Sequence, residues 1–207
     1  MRKILLSILV CIVAIPVISF AQESGTFIGS LGLGLTSAQG QFSDPDLFAA
    51  GSGFGAEAQA MFYPIGGFGI GGLVNYLRFG SSYPGIEGRT SFNFDQIGGL
   101  AKLNLIPLHN GTIYAVGGGG SFTPSVHNYI PEASTDRAGD KSGWFGFGGV
   151  GLSSSTDRRT IYEMELKYNV GRADFTLDNK TSNVWDFIYL GVKLSFASKG
   201  KGAPTGY

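Results

Sequence analysis

The chain has 207 residues, with 15 basic and 15 acidic side chains, 34 glycines, only 14% charged residues and a positive mean hydropathy. That length suits one domain, and the balanced charge offers no basic footprint for a nucleic-acid partner. So few charges beside so much glycine are unusual for a soluble domain, and a single cysteine, Cys11, excludes a disulfide framework and a cysteine metal site.

Taken in order, Met1-Arg2-Lys3, the apolar run Ile4 to Ile18 and the small-residue pattern Ser19-Phe20-Ala21 predict a secretory signal peptide over 1–21, cut before Gln22. The run contains Pro16 and is shorter than the ~20 residues a spanning helix needs. Cys11 lies inside it behind the bulky Ile8-Leu9-Val10, which argues against a lipoprotein, so the mature chain carries no thiol. Without Arg2 and Lys3 the mature chain has 13 basic and 15 acidic residues, a formal charge near −2.

From Gly25 onward the apolar residues recur at every second position, the period of a strand with two different surroundings. The first strand, Gly25 to Ser37, sets Phe27, Leu31, Leu33 and Leu35 against Ser30, Gly32, Gly34 and Thr36. A polar loop with turn signals at Gly40 and Ser43-Asp44-Pro45-Asp46 follows. The second strand, Gly53 to Tyr63, opposes Phe54, Ala56, Ala58, Ala60 and Phe62 to Gly55, Glu57, Gln59 and Met61. After a tight turn at Pro64 to Gly67 the third, Phe68 to Phe79, puts Phe68, Ile70, Val74 and Tyr76 on its outer face. Gly80 to Arg89 reads as a longer loop.

The fourth strand, Ser91 to Ile106, has Ile97, Ala101, Leu103 and Leu105 opposite Gln96, Gly98, Lys102 and Asn104. Phe92 and Phe94 break that phase, which a bulge or the end of a membrane zone near Asp95 would explain. Beyond the turn Pro107 to Gly111, the fifth strand, Thr112 to Phe122, groups Tyr114, Val116 and Phe122. Thr123 to Ser142, rich in Pro, Ser, Asp and charge, reads as the longest exposed loop. The sixth strand, Gly143 to Ser153, is ambiguous, because Trp144, Val150 and Leu152 compete with Phe145 and Phe147. The seventh is the clearest, with Tyr162, Met164, Leu166, Tyr168 and Val170 alternating with Glu163, Glu165, Lys167 and Asn169. A last loop over Ala173 to Asn183 leads to Val184–Phe196, whose Ile188, Leu190, Val192, Leu194 and Phe196 alternate with Tyr189, Gly191, Lys193 and Ser195. Ala197 to Tyr207 reads as a mobile tail.

About eight segments, each near the nine to eleven residues that cross a bilayer as a tilted strand, predict an all-β, closed, up-and-down transmembrane barrel over 22–196. Loops after the odd-numbered strands are the longer ones, which would place both termini on the periplasmic side. In-strand charges are confined mainly to Glu57, Lys102, Glu163, Glu165, Lys167 and Lys193. That is too sparse for a hydrated wall, and it suits a barrel interior in which three acids and three bases compensate one another, Lys193 meeting Glu163 or Glu165. These charges either fill the lumen or line a narrow conduit, and eight strands leave room for little more than side chains. Phe62, Phe68, Tyr162 and Phe196 would form one interfacial girdle, Tyr76 and Trp144 the other. Gly146-Phe147-Gly148 is no nucleotide fingerprint, because no helix follows it.

The ending Tyr189-Leu190-Gly191-Val192-Lys193-Leu194-Ser195-Phe196, with Tyr189, Gly191, Leu194 and Phe196 as its markers, resembles the C-terminal signal of bacterial outer-membrane barrels. With the signal peptide and the alternating segments, the chain resembles the small outer-membrane β-barrel superfamily, which includes the outer-membrane protein A transmembrane domain and the outer-membrane protein X group. It departs by continuing past Phe196. The resemblance implies a Gram-negative outer membrane, contact with its lipid and lipopolysaccharide, insertion by the barrel-assembly machinery, and a structural or surface-binding role through loop 123–142. A small porin-like pore is the alternative, and a soluble periplasmic lipocalin-like binder the third reading. Some such barrels modify lipid A with serine or histidine chemistry. Here only His109, in a predicted turn, and His127, near Ser125, are available, and neither belongs to an oriented triad. No catalytic, cofactor or metal residues are assigned.

Overall fold

The computed structural model describes residues 24–82, 89–129, 137–138, 142–155, 159–177 and 180–198. The predicted signal peptide and the tail beyond Ser198 lie outside them. Among the described residues eight long strands wrap into one antiparallel up-and-down barrel: β1 (Thr26–Gln39), β2 (Ala50–Ile65), β3 (Phe68–Ser81), β4 (Arg89–Leu108), β5 (Gly111–Tyr129), β7 (Gly143–Ser155), β8 (Thr160–Leu177) and β9 (Lys180–Ala197). A two-residue β6 (Arg137–Ala138) pairs with β5. Closure comes from β1, which pairs with β2 on one side and β9 on the other, so the wall has no open seam there. The described ends meet at one rim: Gly25 N–H donates to Tyr63 and Ser198 N–H to Phe27, both at the backbone carbonyl.

Side-chain alternation sorts the strands into two surfaces. Outward are Phe27, Leu31, Leu33 and Leu35 of β1, Ile70, Val74 and Tyr76 of β3, Tyr162, Met164, Leu166 and Tyr168 of β8, and Ile188, Leu190, Val192, Leu194 and Phe196 of β9, all exposed. Inward are the charges, amides and hydroxyls together with a second apolar set that includes Phe79, Phe94, Tyr114 and Trp185, all buried. A wall of large exposed apolar side chains around six buried charges departs from a water-soluble domain, where charged side chains are almost never fully buried and lie outside. Among the described residues no helix is long and apolar enough to cross a membrane.

At the rim that carries the termini the connections are tight. Gly66-Gly67 joins β2 to β3, with Gly67 at φ 82°, a backbone region open to glycine. His109-Asn110 joins β4 to β5.

Several predicted boundaries move. β5 runs to Tyr129, because Thr123 to Tyr129 stay paired with β4, so the first part of the expected 123–142 loop is strand, and β6 occupies part of the rest. The expected 173–183 loop is mostly a hairpin, closed at Leu177 and Lys180 over a register shift after Arg172. In β4 the extra residue is Leu105, between Asn104 and Ile106, and pairing runs unbroken past Asp95. Phe92 and Phe94 do not break phase. They point inward with Gln96 and Lys102, and what changes along the strand is the chemistry of the lumen. In β7 the ambiguity resolves with Trp144, Val150 and Leu152 outward and Phe145 buried.

Candidate functional site

The lumen carries a charged zone and an aromatic zone, with Ile28, Met61, Tyr63 and Ile161 buried between the charges and the rim with the termini. Toward the rim with the termini lie the six charged residues, brought together because β2, β4, β8 and β9 each place an inward position at the same height. Cross-strand register sets Glu163 directly against Lys193 and Glu165 against Gly191. Lys102 lies 3.0 Å from Glu163 and 3.1 Å from Glu165. Lys193 pairs with Glu165 and lies 3.5 Å from both Glu57 and Glu163. Lys167 pairs with Glu57 and stands 3.3 Å from Glu165. Three carboxylates and three ammonium groups thus interlock with no net charge. That arrangement is what burial requires, since an isolated ion there would carry a desolvation cost of several kcal/mol.

Neutral groups complete the cluster. Tyr114 donates to Glu165 at 2.8 Å and Gln59 to Glu57 at 2.7 Å. The Ser195 hydroxyl lies 3.1 Å from Glu163 and 2.7 Å from the Ser30 hydroxyl. Lys102 sits 4.8 Å above the Tyr114 ring, and Lys167 4.6 Å above that of Tyr189.

Glycine makes this geometry possible. In register, Glu165 is flanked by Gly151 on β7 and Gly191 on β9, with Gly34 and Gly55 continuing the row across β1 and β2. A Cβ on Gly151 would run into the Tyr114 ring, and one on Gly34 or Gly191 into the ring of Tyr189. The tyrosines therefore lie flat across bare backbone instead of standing into the lumen.

Toward the opposite rim the inward positions become aromatic. Phe79, Phe92, Phe94, Phe122, Phe175, Trp185 and Phe187 are buried, and Phe42 and Phe48, from the connection between β1 and β2, drop into their midst. A short 3-10 helix, Gly40–Ser43, carries Phe42. Phe48 stacks on Trp185 with ring centroids 5.3 Å apart and 9° between planes, while Phe42 meets Trp185 edge-on at 5.1 Å. Trp185 donates its indole N–H to the Ala173 carbonyl at 2.9 Å.

The sequence reading missed this zone. The β1–β2 connection, expected to be a polar loop, hides two aromatic rings, and the only signal was Phe42, Leu47 and Phe48 between turn-forming residues. Of the four C-terminal markers, Leu194 and Phe196 face outward, while Tyr189 is buried beside Lys167 and Gly191 lies beneath its ring. His109 occupies an exposed turn, and His127 lies in β5 rather than a loop. Among the described residues no group of three or more His, Cys, Asp or Glu side chains is arranged to hold a metal.

No protein-family model matches the chain, and no curated protein matches it. Solved structures do. Neisserial surface protein A (NspA) superposes with a TM-score of 0.57 at 18% identity, over 84% of this chain and 97% of that one. The outer membrane protein OprG from Pseudomonas aeruginosa superposes with a TM-score of 0.54 at 10% identity, over 87% and 99%. At such identities the likeness is one of fold, and the chain has the fold of the small eight-stranded outer-membrane barrels.

Proposed function

We propose that this chain, which has the fold of the small outer-membrane barrels, is an integral protein of a bacterial outer membrane with a structural or surface-interaction role and no catalytic activity. The observation that carries the reading is the inversion of its surfaces: Leu31, Leu33 and Leu35 are about two-thirds exposed while Glu57, Lys102, Glu163, Glu165, Lys167 and Lys193 are buried. In water that arrangement would expose an apolar belt with nothing to cover it; in a bilayer the hydrocarbon covers it, and a closed barrel leaves no unpaired edge. The two structural neighbours, a neisserial surface protein and an outer membrane protein of Pseudomonas aeruginosa, support this placement.

In this reading 1–21 is the export signal and the rim bearing the termini faces the periplasm. The barrel-assembly machinery recognises the last strand through Tyr189, Gly191, Leu194 and Phe196, and lipopolysaccharide surrounds the outer half. A surface ligand is met through segment 123–142, whose first residues, Thr123 to Tyr129, extend β5 at the rim opposite the termini. The interlocked charges and the aromatic zone plug the lumen, which favours the binding role over an ion pore.

The test is gel migration of the protein from isolated outer membranes, unboiled against boiled. A heat-dependent shift in the membrane fraction is expected. Recovery in the soluble periplasmic fraction without a shift would overturn the reading in favour of a lipocalin-like binder.

A further inference from the structure

The connection between β1 and β2 does more than join two strands, because it sets two aromatic rings into the lumen. Its two ends carry the left-handed residues of this rim: Gly40 at φ 56° and Ala49 at φ 45°, the latter the one non-glycine residue with positive φ among those described. Alanine there holds its Cβ against a carbonyl, a strain with no compensating side-chain bond. Between these points Gln41, Pro45 and Asp46 are exposed, while Phe42 and Phe48 are fully buried in the aromatic zone. Within the segment Asp44 N–H reaches the Gln41 carbonyl at 3.3 Å, Leu47 N–H and Ala49 N–H reach the Asp44 carbonyl at 3.1 and 2.9 Å, the Ser43 hydroxyl donates to the Gly40 carbonyl at 3.0 Å and Asp46 N–H to the Asp44 carboxylate at 2.9 Å, so the segment holds together as one unit. To the barrel wall it is tied by Ser82 N–H donating to the Ala49 carbonyl at 3.3 Å and by the Ser81 hydroxyl donating to that of Phe48. Beside these two bonds, what seats the segment in the lumen is the burial of Phe42 and Phe48, with the partly buried Leu47 packed against the same core.

We propose that residues 40–49 form a hinged stopper, pivoting at Gly40 and Ala49, which seals the outer half of the lumen by seating Phe42 and Phe48 against Trp185. When it lifts, the chamber walled by Phe79, Phe92, Phe94 and Trp185 opens to the medium while the charge cluster below stays closed. The inference rests on the membrane-barrel reading above.

Ala38 supplies the probe, because it is small, buried and faces inward at the end of β1. The mature chain has no cysteine, so Ala38→Cys reports opening through its rate of labelling by a water-soluble maleimide on the micelle-bound barrel, with Asp46→Cys at the exposed tip as the reference. Ala38→Cys is expected to label far more slowly than Asp46→Cys. Adding Phe42→Ala and Phe48→Ala should speed it at least about a hundredfold. Adding Ala49→Gly, which relieves the closed hinge, should slow it about fivefold. The proposal is overturned if Ala38→Cys labels as fast as the reference, if the two alanines leave its rate unchanged in a barrel that keeps its heat-dependent shift, or if Ala49→Gly fails to slow it. Should the double-alanine barrel not fold, the glycine variant still decides. Failure of the membrane-barrel reading would show separately, as absence of the heat-dependent shift in the Ala38→Cys parent.

Discussion

Glu165 is the carboxylate on which all three interior lysines converge, and its side chain is wholly removed from solvent. Replacing it with glutamine leaves three ammonium groups facing two carboxylates, an uncompensated positive charge in a site that water does not reach. Removing one partner of such a buried pair costs about 3–5 kcal/mol, far more than the pair itself contributes against an apolar substitute. Glu165→Gln and Lys193→Met should each lower the urea midpoint of the micelle-bound barrel by that order. The double variant restores two against two, so its loss should fall short of the sum of the single losses by about 0.5–3 kcal/mol in a double-mutant cycle. Strict additivity would mean that the six charges act independently and that the lumen is wetter than their burial indicates.

At the scale of the strand, what was legible was the face and what was not was the depth. The alternation of Tyr162 to Val170 against Glu163 to Asn169 put β8 in the wall correctly, because lipid-side and lumen-side chemistry differ at every step. Phe92 and Phe94 were misread for the opposite reason: an aromatic residue suits either side of the wall, and alternation records a change of side, not a change from a charged lumen to an aromatic one. The glycines were likewise legible as tight coiling but not as seats for particular rings, which are set by neighbours in other strands. Gly151 shows the consequence. It comes from β7 so that Tyr114 of β5 can lie across it and donate to Glu165 of β8. Gly151→Ala should therefore destabilise the barrel by about 1–3 kcal/mol through overpacking. In a Tyr114→Leu background, where no ring crosses the backbone at that point, the same change should cost little. An equal loss in both backgrounds, read from urea midpoints, would show that the glycine serves the strand and not the ring.

For the whole molecule the decisive quantity is the medium its outer wall meets. A barrel in water and a barrel in lipid can share strand count, register and closure, and differ only in what a charge on the outside costs. Leu33 lies near the middle of β1, outward and 66% exposed, beside Ala56 of β2 and Val192 of β9. Near the bilayer midplane an outward arginine costs about 2–4 kcal/mol, falling toward zero near the interfaces. On a water-facing wall the same substitution is a surface change, usually within about 0.5 kcal/mol. Leu33→Arg should thus lower folding stability in phospholipid vesicles by the larger amount, while Phe27→Arg, toward the rim with the termini, should lower it much less. The gradient matters more than either value, because overpacking or lost strand propensity would not follow depth. Equal and small effects at both positions would place the wall in water and make the interlocked lysines and glutamates the core of a soluble barrel.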